Sequence, residues 1–348
     1  MPDSLAEIIP QERPDRAVQG ESFHDVEEYL ITSHSIDGTF ESCERRFEFL
    51  HAYMRAPEFE SDAYAADVGT ALHEAVQEWQ RQLYFGAEPQ RAMDSGEIML
   101  LKFWPWESEA WRKANGRVIG QRTLGNALLL LNAIYESDIW TDWELVAIEG
   151  FGPAIEVPWR IVHRSIGKIP LPYKREGFIA TQGKIDFILR HRVTKKYKAF
   201  DLKTTMKEVP AHDAAFRFSG QVGQYGMVLD HALGLNWETN GLDITYLLAV
   251  FDENLTVYPL DYHLDPDEIA DALAVKVERL EKMKLNAKRQ FWPRRTHGCD
   301  FYGTPCGFLD ICKRRDQNFI EEWLEFEMAA GRFRKHERVY QPIWVLEA

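Results

Sequence analysis

The 348-residue sequence contains no apolar run approaching the eighteen or so residues that a membrane-spanning helix requires. Its first residues, MPDSLAEIIPQERPDRAVQGE, are charged and proline-containing, without the apolar centre of a secretory signal. No GxxxxGK followed by Ser or Thr is present, which excludes a phosphate-binding loop and, with it, duplex unwinding driven by this chain alone. Internal repeats and low-complexity tracts are also missing. Cysteine is scarce at four, too few for a disulfide framework in a chain of this size. These absences predict a soluble cytoplasmic protein with a mobile N-terminal tail over residues 1–25 and a single domain over 26–345.

What is present supplies a core and an uneven charge. Hydrophobic residues make up 45% of the chain and include eleven tryptophans, enough for one large core. The formal net charge of −14 disfavours a polyanionic partner only if it is spread evenly. It is not: Glu156 to Lys203 holds twelve Lys or Arg against four acids, and KRQFWPRR (288–295) and KRR (313–315) add basic clusters. An acidic chain with a basic middle can still present a phosphate-binding face. Three of the cysteines, Cys299, Cys306 and Cys312, fall within fourteen residues near the end, whereas Cys43 stands alone near the start.

The period of the apolar residues divides the chain. HSIDGTFESCERRFEFLHAYM predicts a turn and a helix with Cys43 in its first turns, and YAADVGTALHEAVQEWQRQLYFG predicts a second helix with Leu72, Val76, Trp79 and Leu83 at helical spacing. Residues 86–140 read as a helical insertion rich in tryptophan. From Trp143 the period shortens to that of strands: WELVAIEGFG, AIEVPWRIVHR, GFIATQGKIDFILRHR and KYKAFDLKTT. A helix over about 212–233, strands LDITYLLAV and LTVYPLDY, and a charged helix over 266–288 follow. A cysteine-bearing segment and last helix over about 295–330 close the chain. The pattern predicts an α/β (α+β) fold, a central mixed sheet flanked by helices.

The chemistry concentrates in GKIDFILRHRVTKKYKAFDLKT. A turn centred near Val193 and Thr194 pairs the flanking strands so that opposed residue numbers sum to 387. That register sets Asp186 opposite Asp201 and Lys184 opposite Lys203, on one face, with Ile185, Phe187, Leu189, Phe200 and Leu202 on the other. Two facing carboxylates repel unless a proton or cation lies between them, and a hard divalent ion such as Mg²⁺ or Mn²⁺ satisfies the pair. A solvated cluster of surface charges is the competing explanation. Two helical motifs bear on the choice. His73 follows Gly69 and Thr70 in VGTALHE, and Gln221 and Tyr225 lie four apart in SGQVGQYGMVLD. HEAVQ is not the zinc-protease HExxH, since position 77 is Gln, and Gly220, Gly223 and Gly226 do not form a dinucleotide GxGxxG.

In order, Gly69-x3-His73, Gly183-x2-Asp186, Asp201-x-Lys203 and Gln221-x3-Tyr225 resemble the RecB-like branch of the PD-(D/E)XK nuclease superfamily over roughly residues 33–330. One cysteine before the His motif and three after the last motif helix resemble its iron–sulfur subgroup, which includes CRISPR-associated RecB-like exonucleases, the AddB nuclease domain and phage homologues. The resemblance implies a restriction-endonuclease-like core and a DNA exonuclease of recombination, repair, phage DNA metabolism or CRISPR adaptation, in a bacterial or phage-infected cell. It implies metal ligation by His73, Asp186, Asp201 and the Leu202 carbonyl, catalysis by Lys203, and substrate or lysine positioning by Gln221 and Tyr225. Glu149 would be an outlying acid of the site. Cys43, Cys299, Cys306 and Cys312 would hold a structural 4Fe–4S cluster, with Zn²⁺ as the alternative occupant. The spacing departs from the subgroup's C-x2-C-x5-C: six residues separate Cys299 from Cys306, while Cys306 to Cys312 keeps five.

Single-stranded or free-ended DNA is the expected partner. Trp104, Trp106, Trp111 and Arg112 of the insertion would form an arch over a strand, or else belong to the core. Two non-enzymatic readings compete with the nuclease: an iron–sulfur DNA-end-binding adaptor in a recombination or spacer-acquisition complex, and a zinc-stapled structural protein. The intact Asp186, Asp201 and Lys203 set favours turnover.

Overall fold

The computed structural model describes residues 31–32, 34–52, 55–57, 64–114, 116, 119–148, 155–161, 175–181, 185–206, 216, 220–233, 240–289, 291–295, 299–301, 304–314 and 316–335. The first half comprises β1 (Ile31–Thr32), α1 (His34–Ser42), α2 (Glu44–Phe47), a π-helical turn (Glu48–Ala52), β2 (Arg55–Pro57), α3 (Tyr64–Tyr84), α4 (Pro89–Phe103), α5 (Trp106–Ala114) and α6 (Leu124–Tyr135). Next come β3 (Trp143–Ile148), β4 (Ile155–Ile161), β5 (Arg175–Thr181), β6 (Phe187–His191) and β7 (Tyr197–Thr205). The chain continues through α7 (Gly220–Leu233), β8 (Leu242–Val250), β9 (Val257–Leu264), α8 (Pro266–Arg289), β10 (Asp300–Phe301), β11 (Thr304–Pro305), α9 (Gln317–Ala329) and β12 (Phe333–Lys335). The expected tail, Glu149, Gly183 and Lys184 lie outside the described residues.

The central sheet has the order β3-β6-β7-β8-β9. Only the β7–β8 pair is parallel, and α7 lies on the connection between these two strands, as a parallel crossover requires. Its neighbours β3–β6, β6–β7 and β8–β9 are antiparallel. The sheet is therefore mixed and flanked by helices, the α/β arrangement expected of a restriction-endonuclease-like core. The β6–β7 hairpin adopts the expected register, with Phe187 opposite Phe200 and Arg190 opposite Tyr197.

Two expectations about this region are corrected. GFIATQGKIDFILRHR is not one strand: β5 pairs with β1 and β4 in a separate three-stranded sheet, and β6 begins only at Phe187. Because Asp186 lies in a bend before β6, side-chain alternation does not extend through it. Ile185 accordingly packs with Ile188 and Ala199 on the face opposite Phe187.

Both faces of the sheet are buried. Phe187, Leu189, Phe200, Leu202, Leu247 and Ala249 pack under α3, α4 and α6, with Leu72, Leu100, Trp104 and Leu130 in the same cluster. Helices α4 and α6 thus share the sheet's core. On the other face, Ile188, Ala199, Ile244, Tyr246 and Leu248 meet Tyr225 and Leu229 of α7 and Ile269 of α8. The glycines of α7 belong to this packing. A Cβ built on Gly223 would lie 2.3 Å from the Ala272 Cβ of α8, so the helices touch at a spacing only glycine permits.

Cys43 does not continue the first helix. Its extended backbone (φ −162°, ψ 111°) separates α1 from α2. A third cluster then joins the two ends of the described chain: Phe49 and Leu50 pack with Phe308, Ile311, Ile320, Leu324 and Phe333, and β2 pairs with β12.

Gly223→Val should destabilise the protein by about 1–3 kcal/mol through overpacking against Ala272. Gly125→Ala in α6, where no atom lies within 4 Å of the added carbon, should be neutral or stabilising by up to about 1 kcal/mol. Urea denaturation of the two variants distinguishes these outcomes.

Candidate active site

The site forms where β6 begins and β7 ends. Asp201 and Lys203 alternate with Leu202 on β7, so both lie on the α7 side while Leu202 enters the opposite core. Asp201 is 1% exposed and Asp186 8%, which rules out a solvated surface cluster. The Leu202 N–H donates to Asp186 Oδ2 at 2.8 Å, fixing that carboxylate against the strand. The Leu202 amide thus holds Asp186 in place.

His73 reaches the pair from α3, its Nδ1 3.2 Å from Asp186 Oδ2. Gly69, one turn earlier, permits this approach: a Cβ there would lie 3.0 Å from Thr204 Oγ1 of β7. Lys203 Nζ lies 2.6 Å from Asp201 Oδ2. That buried oxygen is thus an ion-pair partner of Lys203 with no regular hydrogen bond among the described residues.

The two carboxylates are driven apart in acidity. Burial raises Asp201, the charge of Asp186 raises it further, and Lys203 offsets only part of this, so it holds a proton well above the usual carboxylate range. Burial also opposes ionisation of Asp186, but the charge and hydrogen bond of His73, and then Lys203, outweigh it and hold its pKa low. For His73 burial favours the neutral ring, and Asp186 more than reverses that. The metal-free site is thus an ionised Asp186 paired with His73 beside a proton-holding Asp201.

Gln221 and Tyr225 arrive at the same face. The Gln221 amide donates to the Tyr225 hydroxyl at 2.5 Å. Tyr225 is buried, and burial followed by the charges of Asp201 and Asp186 pushes its phenol well up. Sequence reasoning missed Tyr246, whose ring stacks on Phe216 with centroids 4.6 Å apart and whose charge also acts on Tyr225. Its place in an apolar β8 pattern carries no signal beyond core formation.

Of the proposed arch, Trp104 is buried with its indole donating to Glu109 Oε2 at 2.7 Å, whereas Trp106 is 53% exposed. The side chain of Trp111 is outside the described set.

The four cysteines gather near the joined chain ends. The Cys306 N–H donates to the Cys299 carbonyl at 2.9 Å, and Cys312 N–H to the Phe308 carbonyl at 2.8 Å. Burial pushes the Cys306 and Cys312 thiols up, and Cys43 and Cys299 act on both. Arg46 pulls Cys306 the other way, as Arg45 and Arg294 do Cys312. Glu44, next to Cys43, binds Lys282, Asn286 and Arg295, holding α2 against α8.

Among the described residues, no three His, Cys, Asp or Glu side chains close to a distance that would hold a metal ion. The donor set of the carboxylate pair is one that a hard divalent ion such as Mg²⁺ accepts, since it takes one or two protein carboxylates and retains several waters. Asp201 Oδ2, which makes no regular hydrogen bond among the described residues, is an oxygen such an ion would take. At the cysteines, Cys43 and Cys299 lie within electrostatic reach of Cys306 and Cys312.

The opposed shifts make opposite stability predictions for the metal-free protein. Asp201, raised on folding, opposes folding increasingly as pH rises through its folded pKa; Asp186, lowered on folding, stabilises above the unfolded carboxylate pKa and loses that as pH falls. At neutral pH, Asp201→Asn should therefore raise the melting temperature by the equivalent of about 1 kcal/mol or more. Asp186→Asn should lower stability by about 1–3 kcal/mol, since it weakens the bonds to His73 and the Leu202 amide. Chelator-treated samples in a thermal melt measure both.

Comparison with curated proteins finds no match. Comparison with family models finds one, described as the PD-(D/E)XK nuclease superfamily, over residues 32–313. That span takes in the sheet, the helices on both of its faces and the carboxylate pair, and the chain belongs to the PD-(D/E)XK nuclease superfamily.

Proposed function

We propose that this protein is a Mg²⁺- or Mn²⁺-dependent deoxyribonuclease, an exonuclease acting on single-stranded or end-resected DNA. Family membership supplies the reaction class, phosphodiester hydrolysis. The observation that carries the reading is the buried Asp186–Asp201 pair with Lys203 2.6 Å from Asp201 Oδ2, an arrangement repulsive by itself and useful to a cation. A divalent ion held by Asp186 and Asp201 supplies charge neutralisation of the scissile phosphate and acidification of the attacking water.

The chain's own groups do the rest. His73 and the Leu202 amide orient Asp186. Lys203, part-exposed at the end of β7, orients the attacking water and balances charge that builds on the phosphate. Gln221 sets the direction of the Tyr225 hydroxyl, which guides the strand or the lysine. The exposed Trp106 offers a face for base stacking.

Cys43, Cys299, Cys306 and Cys312 hold a 4Fe–4S cluster in this proposal, placing the protein in the RecB-like iron–sulfur branch and in recombination, repair, phage DNA metabolism or CRISPR adaptation. What supports it is the set of four thiols where the first and last elements meet, with Arg45, Arg46 and Arg294 nearby to offset thiolate charge. The cluster's role is then structural, since the thiols lie in the packing that joins β2, β12 and α9.

End-labelled single-stranded and duplex DNA incubated with Mg²⁺ or Mn²⁺ should be degraded, single strands or strand ends preferentially. Asp201→Asn and Lys203→Ala should each reduce the rate by at least about 100-fold. Wild-type-like activity in Asp201→Asn would remove the proposed site, and cleavage of RNA alone would change the substrate. Separately, protein purified without oxygen should show a broad visible absorption band that Cys306→Ser weakens or abolishes. Colourless protein carrying stoichiometric zinc would sink the cluster assignment while leaving the nuclease intact.

A further inference from the structure

Helix α8 presents one stripe of side chains to two partners. Ile269, Ala272, Lys276, Arg279 and Asn286 fall at intervals of three, four or seven residues, the spacing of a single helix face. The first part of the stripe meets α7. A Cβ built on Gly226 would lie 3.2 Å from Ile269 Cδ1, one on Gly223 would meet Ala272, and Lys276 Nζ donates to Gln224 Oε1 at 3.3 Å. The last part meets α2, where Asn286 and the neighbouring Lys282 each donate to the buried Glu44 at 2.6 Å.

Arg279 stands where the two parts join. Its Nη1 lies 3.6 Å from the place of a Cβ on Gly220, the first residue of α7, and its Nη2 pairs with Glu41 near the end of α1. The Arg279 side chain is 21% exposed against 50% for Glu41, so the guanidinium lies between helices and its partner faces solvent.

The stability of α7 does not account for this residue. A helix begins with a partial positive charge, and a guanidinium beside it is unfavourable until a carboxylate offsets it. What the contact supplies is position. Gly223 and Gly226 let α7 and α8 come close, but glycine has no side chain to interlock, so Lys276 and Arg279 supply the longer contacts along the stripe. Of these two, Arg279 also ties α7 to a third element. Gln221 directly follows Gly220, and its amide donates to the Tyr225 hydroxyl, on which the charges of Asp201 and Asp186 act. A shift in the first turn of α7 would carry that amide with it, and a misplacement of about 1 Å can slow a reaction about 100-fold.

We infer that Arg279, held by Glu41, is a positioning residue of the active site: it fixes the first turn of α7 and so aims Gln221 at Tyr225. The inference rests on the nuclease reading above and adds to it a residue that acts through Gln221.

The test is single-turnover cleavage of an end-labelled single-stranded DNA oligonucleotide with Mn²⁺ at saturating full-length protein, which reads the chemical step apart from binding, with a melting temperature for each variant. Arg279→Gln and Glu41→Gln should each lower the saturated rate about 3–10-fold. Arg279→Lys, which keeps a cation opposite Glu41, should retain most of the rate. In a Gln221→Ala background, Arg279→Gln should cost less than about 2-fold more, because the group it positions is already gone. The control Arg190→Gln, on a residue paired with Glu144 of β3, should leave the rate unchanged. An undiminished rate in Arg279→Gln and Glu41→Gln would overturn the role, and so would a loss that multiplies in full with that of Gln221→Ala, the mark of a general packing defect. If Arg279→Gln fails to fold, Glu41→Gln on the exposed carboxylate carries the same cycle. A parent protein that cleaves neither DNA nor RNA would defeat the nuclease reading and the positioning role together, whereas an active parent with unaffected variants defeats the positioning role alone.

Discussion

The enforced proximity of Asp186 and Asp201 is the constraint around which this molecule is arranged. Two carboxylates in a water-poor interior repel, and left to themselves they would separate. The fold prevents it from three sides. The hairpin register sets the strands, the Leu202 amide and His73 pin Asp186, and α7 covers Asp201 with Tyr225. The unfavourable charge arrangement is held in place by apolar packing on both faces of the sheet, a separation of cost from compensation that is typical of active sites.

The helices can cover the pair because small residues let them come close. Gly69 brings α3 against β7, and Gly223 brings α7 against α8. This links the active site to the cysteine region by direct contact. Helix α8 packs on α7 through Ala272 and, further along, holds α2 through Lys282 and Asn286 to Glu44. Glu44 adjoins Cys43, and the cysteine segment shares a core with Phe49, Leu50 and α9. The packing that joins residues 44–50 to residues 306–333 therefore bears, through α8, on the helix that carries Gln221 and Tyr225.

Charge is distributed on the same plan. The chain is acidic overall, yet Arg45, Arg46 and Arg294 act on the thiols and Lys203 on the carboxylates.

How far the sequence was legible follows from which interactions are local. Strand alternation and the Val193–Thr194 turn fixed the hairpin register from Phe187 to Arg190, because a two-residue period and a short turn leave one pairing that buries Phe187 and Phe200 together. The bend at Asp186, which sends Ile185 to the opposite core, was not legible, since it depends on what packs around the residue. Nor was the break at Cys43, which interrupts an otherwise helical pattern. Composition could not say that both sheet faces are buried, so a solvated charge cluster stayed open until the helices were placed. By itself the sequence determined the order of elements, the register of the catalytic hairpin and the residue types able to hold a cation, all properties of chain segments a few residues long. Only the tertiary structure decided that His73 and Tyr225 reach the same pair and that the Leu202 amide fastens Asp186, because those contacts join residues far apart in the chain through packing that no local period encodes.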